Sequence, residues 1–184
     1  MKDMENVHFD IFEFIIKDDG IFPNSLLPVL VYKSALTFES VLEIEEIFKK
    51  NKWIGKWRNG IYNYHHYHST AHETLGVYKG SATVLLGGQN GIIQKIQKGD
   101  VLIIPAGVAH KCIESSNDFK CIGAYPENQE EYDINCGRLG ERPQSDRNIE
   151  NVPLPTSDPL SGNEGLLIQY WKKRSVELKL VTQN

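Results

Sequence analysis

The stretch Gly60–Gly80, GIYNYHHYHSTAHETLGVYKG, decides how this chain is read. Four of the chain's six histidines, His65, His66, His68 and His72, fall here beside Glu73. Histidine is a borderline metal ligand, so a cluster this dense asks which side chains meet around one ion. Along an extended strand alternate side chains share a face, which sends His66 and His68 one way and His65 and Tyr67 the other. Two histidines therefore converge. His65 is expected to pack or hydrogen-bond within the sheet, and His8 has no context that suggests a role. Tyr62 and Tyr64 share the phase of His66 and are candidates to line a cavity or to join the core.

Outward from this stretch, from Trp57 to Tyr125, the chain consists of short runs rich in Val, Ile, Thr and Tyr, punctuated by Gly, Asn and Pro. Runs of this length and composition predict strands over Asn59–His68, Glu73–Tyr78, Ala82–Leu86, Ile92–Gln97, Val101–Ile104, Lys111–Ser115 and Phe119–Tyr125. Gly87-Gly88-Gln89-Asn90-Gly91 reads as a hairpin loop and Pro105-Ala106-Gly107 as a tight turn. Many short strands joined by tight turns predict an all-β sandwich or barrel. Upstream, Leu26–Tyr32 reads as a strand whose Pro28 argues for a sheet edge or a strand start. Ser40 with Glu43 forms an S-x-x-E capping box, and Val41, Ile44, Ile47 and Phe48 repeat at helical spacing through Lys50, so one helix is expected to pack on the sheet. Beyond Tyr125 regular pattern is lost for some forty residues before the apolar run Leu166–Trp171. A segment of that kind is expected to cover a pocket mouth or a dimer partner.

The 184 residues, 40% of them apolar and 24% charged, fit one globular domain. Its expected parts are a barrel core over 57–125, a strand and helix segment over 1–56 and an irregular C-terminal extension over 126–184. A formal charge of −4 gives no basic face for a phosphate backbone, and no helix-turn-helix pattern is present, so nucleic acid is not an expected partner. The acidic start lacks a signal-peptide pattern and no apolar run approaches the length of a membrane span. Cys112, Cys121 and Cys136 are odd in number and show no CxxC spacing, which favours reduced thiols and a cytoplasmic location over a disulfide framework.

Two blocks hold the glycines, histidines and acids in register: Gly60-x5-His66-x-His68-x4-Glu73-x6-Gly80, then Gly99-x5-Pro105-x-Gly107-x2-His110-x3-Glu114. By average residue usage, either block would arise at a given start with odds on the order of one in a hundred thousand. Together they resemble the two-part signature of the cupin superfamily. Only the last position departs, with Glu114 where the family usually has Asn. The flanking text, in KDDGIFPNSLLPVLVY, HSTAHETLGVYKGSATVLLGG, GDVLIIPAGVAHK and VPLPTSDPL, is also similar to a small group of single-domain bacterial cupins of the YjlB type.

That resemblance implies a cupin jelly-roll β-barrel, or double-stranded β-helix, of the RmlC-like kind. It also implies one divalent transition metal, Fe, Mn, Ni, Cu or Zn, held near the open end by His66, His68, Glu73 and His110. The bottom-up chemistry agrees, because imidazoles with one carboxylate suit these ions and leave positions open for water or substrate. His72 stands next to Glu73 and is the alternative ligand or an orienting neighbour; the family spacing and the count back from Gly80 select Glu73. Cys112 shares the phase of His110 and is a candidate to approach the metal or to serve as a small buried hydrophobe. Three-histidine, one-glutamate cupins resemble dioxygenases and oxidases more often than hydrolases, so an oxidative small-molecule enzyme is the leading expectation. The alternatives are a non-catalytic metal- or metabolite-binding cupin and a redox-neutral sugar isomerase or epimerase. The absence of an Arg/Lys clamp near the motifs weighs against a sugar phosphate. Exposed sheet edges predict a homodimer.

Overall fold

The apolar runs flanking the histidine stretch, such as LLPVLVY and VLII, are continuous rather than alternating because the sheet they build is covered on both faces. The computed structural model of the chain describes residues 9–181; His8 lies outside them. Nine strands are assigned among these residues: β1 (Ile11–Ile16), β2 (Ser25–Tyr32), β3 (Trp53–Asn59), β4 (Glu73–Lys79), β5 (Ser81–Leu86), β6 (Ile92–Gln97), β7 (Val101–Ile104), β8 (His110–Ser115) and β9 (Lys120–Pro126). They form an antiparallel six-stranded sheet in the order β1-β2-β7-β4-β9-β3 and a three-stranded sheet in the order β6-β5-β8. This is the jelly-roll architecture that the sequence predicts.

Period-two alternation sorts each strand of the larger sheet. Val29, Val31, Leu75, Val77, Leu102 and Ile104 point toward Val84, Leu86 and Ile96 of the smaller sheet and build the barrel core. Leu30, Tyr32, Val101, Ile103 and Ile122 point outward, where α1 (Val41–Lys50) covers them with Ile44 and Phe48. α3 (Leu166–Val181) adds Leu167 and Trp171 to the same layer. Trp171 is buried and its indole Nε1–H donates to the carbonyl of Pro28 at 2.9 Å, which ties the C-terminal helix to β2. Among the described residues no helix is long and apolar enough to cross a membrane.

Several local expectations are corrected. β2 is an inner strand, not an edge; Pro28 is tolerated because β7 pairs only with Leu30–Tyr32 and β1 is irregular between Phe14 and Ile16. The strand expected over Asn59–His68 begins and ends earlier as β3, and from Gly60 the chain leaves the sheet. The capping box is incomplete: the Ser40 hydroxyl lies 3.3 Å from Glu43 Oε1, but the Glu43 N–H is taken by the Ser40 carbonyl, not by its side chain. The C-terminal extension contains α2 (Gln144–Asn151) as well as α3. β1 and α2 carried no periodic signal strong enough to predict them.

Replacing Trp171 removes a buried indole and leaves the Pro28 carbonyl unpaired. Trp171→Ala should lower unfolding free energy by about 3–5 kcal/mol, read as a shift in the chemical denaturation midpoint; a change within experimental error would show that α3 does not hold the sheet.

Candidate metal centre

His110 opens β8, whereas His66 and His68 are placed by backbone pairing outside the regular strands. His66 exchanges both hydrogen bonds with His110 (3.2 and 2.9 Å), and Tyr67 does the same with Asn135 (2.9 Å each way). The Gly107 N–H donates to the His68 carbonyl at 2.8 Å. Gly107 has φ +92°, and a Cβ there would lie 2.3 Å from the Asn24 carbonyl oxygen, so the turn before His110 requires glycine. The extended alternation survives in this short piece: His66 and His68 face the barrel interior, while Tyr67 packs with Phe22 and Ala109 on the other side. His65 packs against Phe22 in a tilted arrangement, with ring centroids 5.3 Å apart.

The nitrogen nearer the backbone fixes each ring. Nδ1 of His66 meets the Tyr64 carbonyl at 3.2 Å, that of His68 the Asp133 carbonyl at 2.5 Å and that of His110 the Val108 carbonyl at 3.1 Å. A carbonyl only accepts, so all three Nδ1 atoms carry hydrogen and the neutral rings turn bare Nε2 lone pairs inward. The three rings offer ligand atoms within 4.8 Å of one another.

Glu73 opens β4, and the register that sets Thr74 opposite Ala124 brings Tyr125 of β9 beside it. The buried carboxylate accepts from the Tyr125 hydroxyl at Oε1 (2.5 Å), and that hydroxyl accepts from Trp57 Nε1 at 3.0 Å. A Cβ on Gly123 would sit 2.0 Å from the Trp57 indole, so this glycine makes room for the ring. Glu73 Oε2 lies 3.4 Å from His68 Nε2 and 3.2 Å from His110 Nε2 yet has no hydrogen-bond donor. A buried carboxylate oxygen facing imidazole lone pairs is unfavourable unless a cation or a proton stands between them. This donor set fits a divalent transition metal.

In the metal-free protein the proton takes that place. Burial opposes charge on both groups, but their attraction prevails: His68 is raised above the ordinary imidazole value and Glu73 is held well below the usual carboxylate range. His66, dominated by burial and then by His110, is pushed down to about 3 and stays neutral.

His72 lies outside this cluster. Its Nδ1 accepts from the Ala106 N–H at 2.9 Å and its ring packs 4.7 Å from Trp171; burial lowers its pKa to about 3. Beside the cluster opens a cavity of about 160 Å³ whose walls include Trp57, Ile61, Tyr62, Tyr125, Tyr132 and Ile134. Tyr64 stacks on Tyr62 without lining the cavity, and Cys112 points its thiol to the Glu114 carbonyl instead.

The C-terminal extension reaches the cavity, in keeping with the expectation that it covers a pocket mouth, but through residues the sequence did not single out, Tyr132, Asp133 and Ile134. Besides its carbonyl bond to His68, Asp133 accepts through its carboxylate from the Ser69 amide (2.6 Å), the Ser69 hydroxyl (2.5 Å) and Asn135 Nδ2 (2.7 Å). Its own N–H donates to Thr70 Oγ1 at 3.1 Å. Burial opposes the charge of Asp133, but the bonds from Ser69 and Asn135 prevail and lower its pKa. Tyr132 stacks on Tyr125 (4.1 Å, 16°). Tyr125 was within reach of the alternation that places Phe119 and Cys121 inward; Asp133 sits in an aperiodic run that gives no such signal.

Comparison with known proteins adds the following. The profile of the family described as Cupin matches residues 57–136. "Uncharacterized protein YjlB" of Bacillus subtilis (strain 168) is 36% identical over 161 residues, spanning 87% of this chain and 96% of its own. Among solved structures, procruciferin, the 11S globulin of Brassica napus, aligns at 18% identity and a TM-score of 0.36 over 60% of this chain, which spans only 23% of the globulin chain. A Thermotoga maritima protein from a family of unknown function aligns at 19% identity and a TM-score of 0.35, over 52% of this chain and 96% of its own.

Metal and proton compete for one place. In the metal-free protein the raised pKa of His68 contributes stability that is full below the unfolded value of about 6.5 and fades as pH rises through the folded value. Metal binding has the opposite sign. Protein loaded at about pH 7.5 should hold close to one transition metal per chain and lose it on dialysis toward about pH 5; metal content by elemental analysis that stays constant across that range would contradict the three-histidine set. Asp133→Ala keeps the carbonyl that meets His68 but removes the carboxylate that clamps Ser69 and Thr70, and by loosening that carbonyl it should weaken metal affinity by about 10-fold, measured by competition with a chelator of known affinity.

Proposed function

Because the chain belongs to the cupin family, alongside YjlB, we propose that it is a metal-dependent small-molecule enzyme of oxidoreductase type, acting at a centre held by His66, His68, Glu73 and His110. The observation that carries this reading is the set of three inward Nε2 atoms and an unpartnered buried carboxylate oxygen beside an open cavity. A bound divalent ion supplies Lewis acidity and, for Fe, Mn, Ni or Cu, redox chemistry at the positions the protein leaves free.

The chain's own residues do the rest. Tyr125 stays a protonated phenol, because burial and then Glu73 raise its pKa, and it holds the carboxylate by one oxygen so that the other remains directed at the rings. The backbone carbonyls of Tyr64, Val108 and Asp133 fix the three imidazoles, an arrangement that lowers the reorganisation needed on loading. Trp57, Ile61 and Ile134 give the cavity wall apolar surface. Apart from the four proposed ligands, the described lining residues include no Ser, Cys, Lys or Asp to serve as nucleophile or general base, which favours chemistry centred on the metal over protein-based hydrolysis.

A cytoplasmic homodimer belongs to the same reading. The three cysteines are free, and β1 is an edge strand with Phe12 and Ile15 exposed, an arrangement suited to pairing with a second copy.

The test is oxygen uptake by protein reconstituted singly with Fe(II), Mn(II), Ni(II), Cu(II) and Zn(II), over a panel of diketones, thiols, phenols and small acids. At least one redox-active metal should support uptake, and His110→Ala should lose metal and uptake together. Uptake that persists in His110→Ala after its metal is gone would overturn the proposal, as would sugar isomerisation by the zinc form with no oxygen use by any form.

A further inference from the structure

We infer that a second small-molecule site lies on the opposite face of the sheet from the histidine cluster, in the cleft that α2 and α3 close over the start of β2, and that it takes an N-acylated alkyl diamine. Such a molecule has a carbonyl near one end, an ammonium at the other and methylenes between. The inference stands apart from the metal centre, because the two cavities have no wall residue in common among the described residues.

The cleft holds about 680 Å³, within the range of small-molecule sites. Segments far apart in the chain build it: residues 23–27 where β2 begins, the α2 region from Arg142 to Leu154, and Ser175 of α3. The C-terminal extension therefore forms a wall here that the barrel alone lacks.

His72 stands at the inner wall and is 2% exposed. Its Nδ1 accepts from the Ala106 N–H at 2.9 Å, so the neutral ring carries its hydrogen on Nε2, and that N–H has no hydrogen-bond partner among the described residues. The Pro153 carbonyl nearby raises the ring's proton affinity, but it already accepts from Gln129 Nε2 at 2.9 Å and completes no hydrogen bond with His72. Buried donors are nearly always paired, and one left unpaired is costly. A carbonyl oxygen brought in by a ligand supplies the missing acceptor.

The walls beyond His72 are aliphatic: Leu27, Ile149, Val152 and Leu154. They offer a methylene chain apolar contact and leave no further polar group to satisfy along it.

Charge at the rim selects the far end of the ligand. Asp18, Asp146 and Glu150 set three carboxylates against the one guanidinium of Arg142. That guanidinium is already committed, meeting Asp18 at 2.9 and 2.6 Å and Asp146 at 2.9 Å. Glu150 is exposed and makes no ion pair among the described residues. The excess negative charge attracts an ammonium and repels a carboxylate or phosphate. An unpaired inner donor, an aliphatic middle and an acidic rim together describe an acyl group, a methylene chain and an amine.

Calorimetric titration of the metal-free full chain tests this with N-acetylputrescine and N-acetylcadaverine as probes. At least one should bind, at least about tenfold tighter than the ω-acetamido acid of matching length, whose carboxylate meets the acidic rim. It should also bind about threefold to tenfold tighter than the parent diamine, which brings no acceptor to His72. Glu150→Lys, an exposed substitution, should weaken the acetylated diamine by at least about fivefold and strengthen the ω-acetamido acid; this reversal places the ammonium at the rim, a result that loss of fold would not give. In proton NMR spectra the His72 Nε2–H signal, identified by its contact with the Trp171 ring, should move downfield with the acetylated diamine and not with the parent diamine. No binding of either acetylated diamine, equal binding of the ω-acetamido acid or of the parent diamine, affinities unchanged in Glu150→Lys, or an unmoved His72 signal overturns the inference.

Discussion

A carboxylate carried into the interior of a β-barrel has to be compensated there, and the arrangement around Glu73 follows from that requirement. After relaxation, moving one such ion out of water costs on the order of several kcal/mol. The Tyr125 hydroxyl meets one carboxylate oxygen, and the rings of His68 and His110 approach the other. Tyr125 can do this only because Trp57 satisfies its own oxygen, and Trp57 fits only because residue 123 has no side chain. The glycine, the indole, the phenol and the carboxylate form one chain of dependence across β3, β9 and β4. Its last member, Oε2, is left without a hydrogen-bond donor, facing the rings of His68 and His110.

The C-terminal extension supplies what the barrel lacks. A β-strand would place His68 by ladder hydrogen bonds, but here the chain has left the sheet and is held by two isolated backbone bridges and a few single backbone bonds, among them that from Gly107 to His68. Asp133 takes over, gripping Ser69 and Thr70 with its carboxylate and amide while its carbonyl orients the His68 ring. Behind it, Asn148 of α2 donates to the Ser69 hydroxyl, and the Tyr67 hydroxyl hydrogen-bonds Glu141 and Ser145. These contacts join polar side chains to backbone and to one another. They fix a conformation without apolar periodicity, which is why the segment reads as patternless although its placement is specific.

The contrast explains what was legible in the sequence. Strands β4 to β9 were readable to within a residue because alternation and turn chemistry are local. The shared inward phase of His66 and His68 was readable for the same reason, even though their strand proved to be two bridges. β2 as an inner strand was not readable, since Pro28 is permitted there by the short reach of β7, a fact about another segment. Asp133, Tyr132 and Ile134 enter the site through tertiary contacts alone. Tyr125 lies between these cases: its inward phase follows from Phe119 and Cys121, but its bond to Glu73 depends on the β4–β9 register.

The choice between His72 and Glu73 turns on where protons sit rather than on distance along the chain. His66, His68 and His110 donate from Nδ1 to carbonyls and so keep Nε2 bare, the form in which imidazole binds a metal. His72 is inverted. Its Nδ1 accepts from the Ala106 amide, so the neutral ring carries its hydrogen on Nε2, and burial against Trp171 keeps it neutral. Adjacent residues at the start of β4 thus turn to opposite faces in opposite charge states: a neutral histidine under the C-terminal helix and an ionised glutamate inside the barrel. Bringing His72 to the histidine cluster would require it to give up the Ala106 bond, change tautomer and cross the sheet, whereas Glu73 already stands ionised beside two of the rings. Strand alternation and proton placement, two independent constraints, favour the same residue.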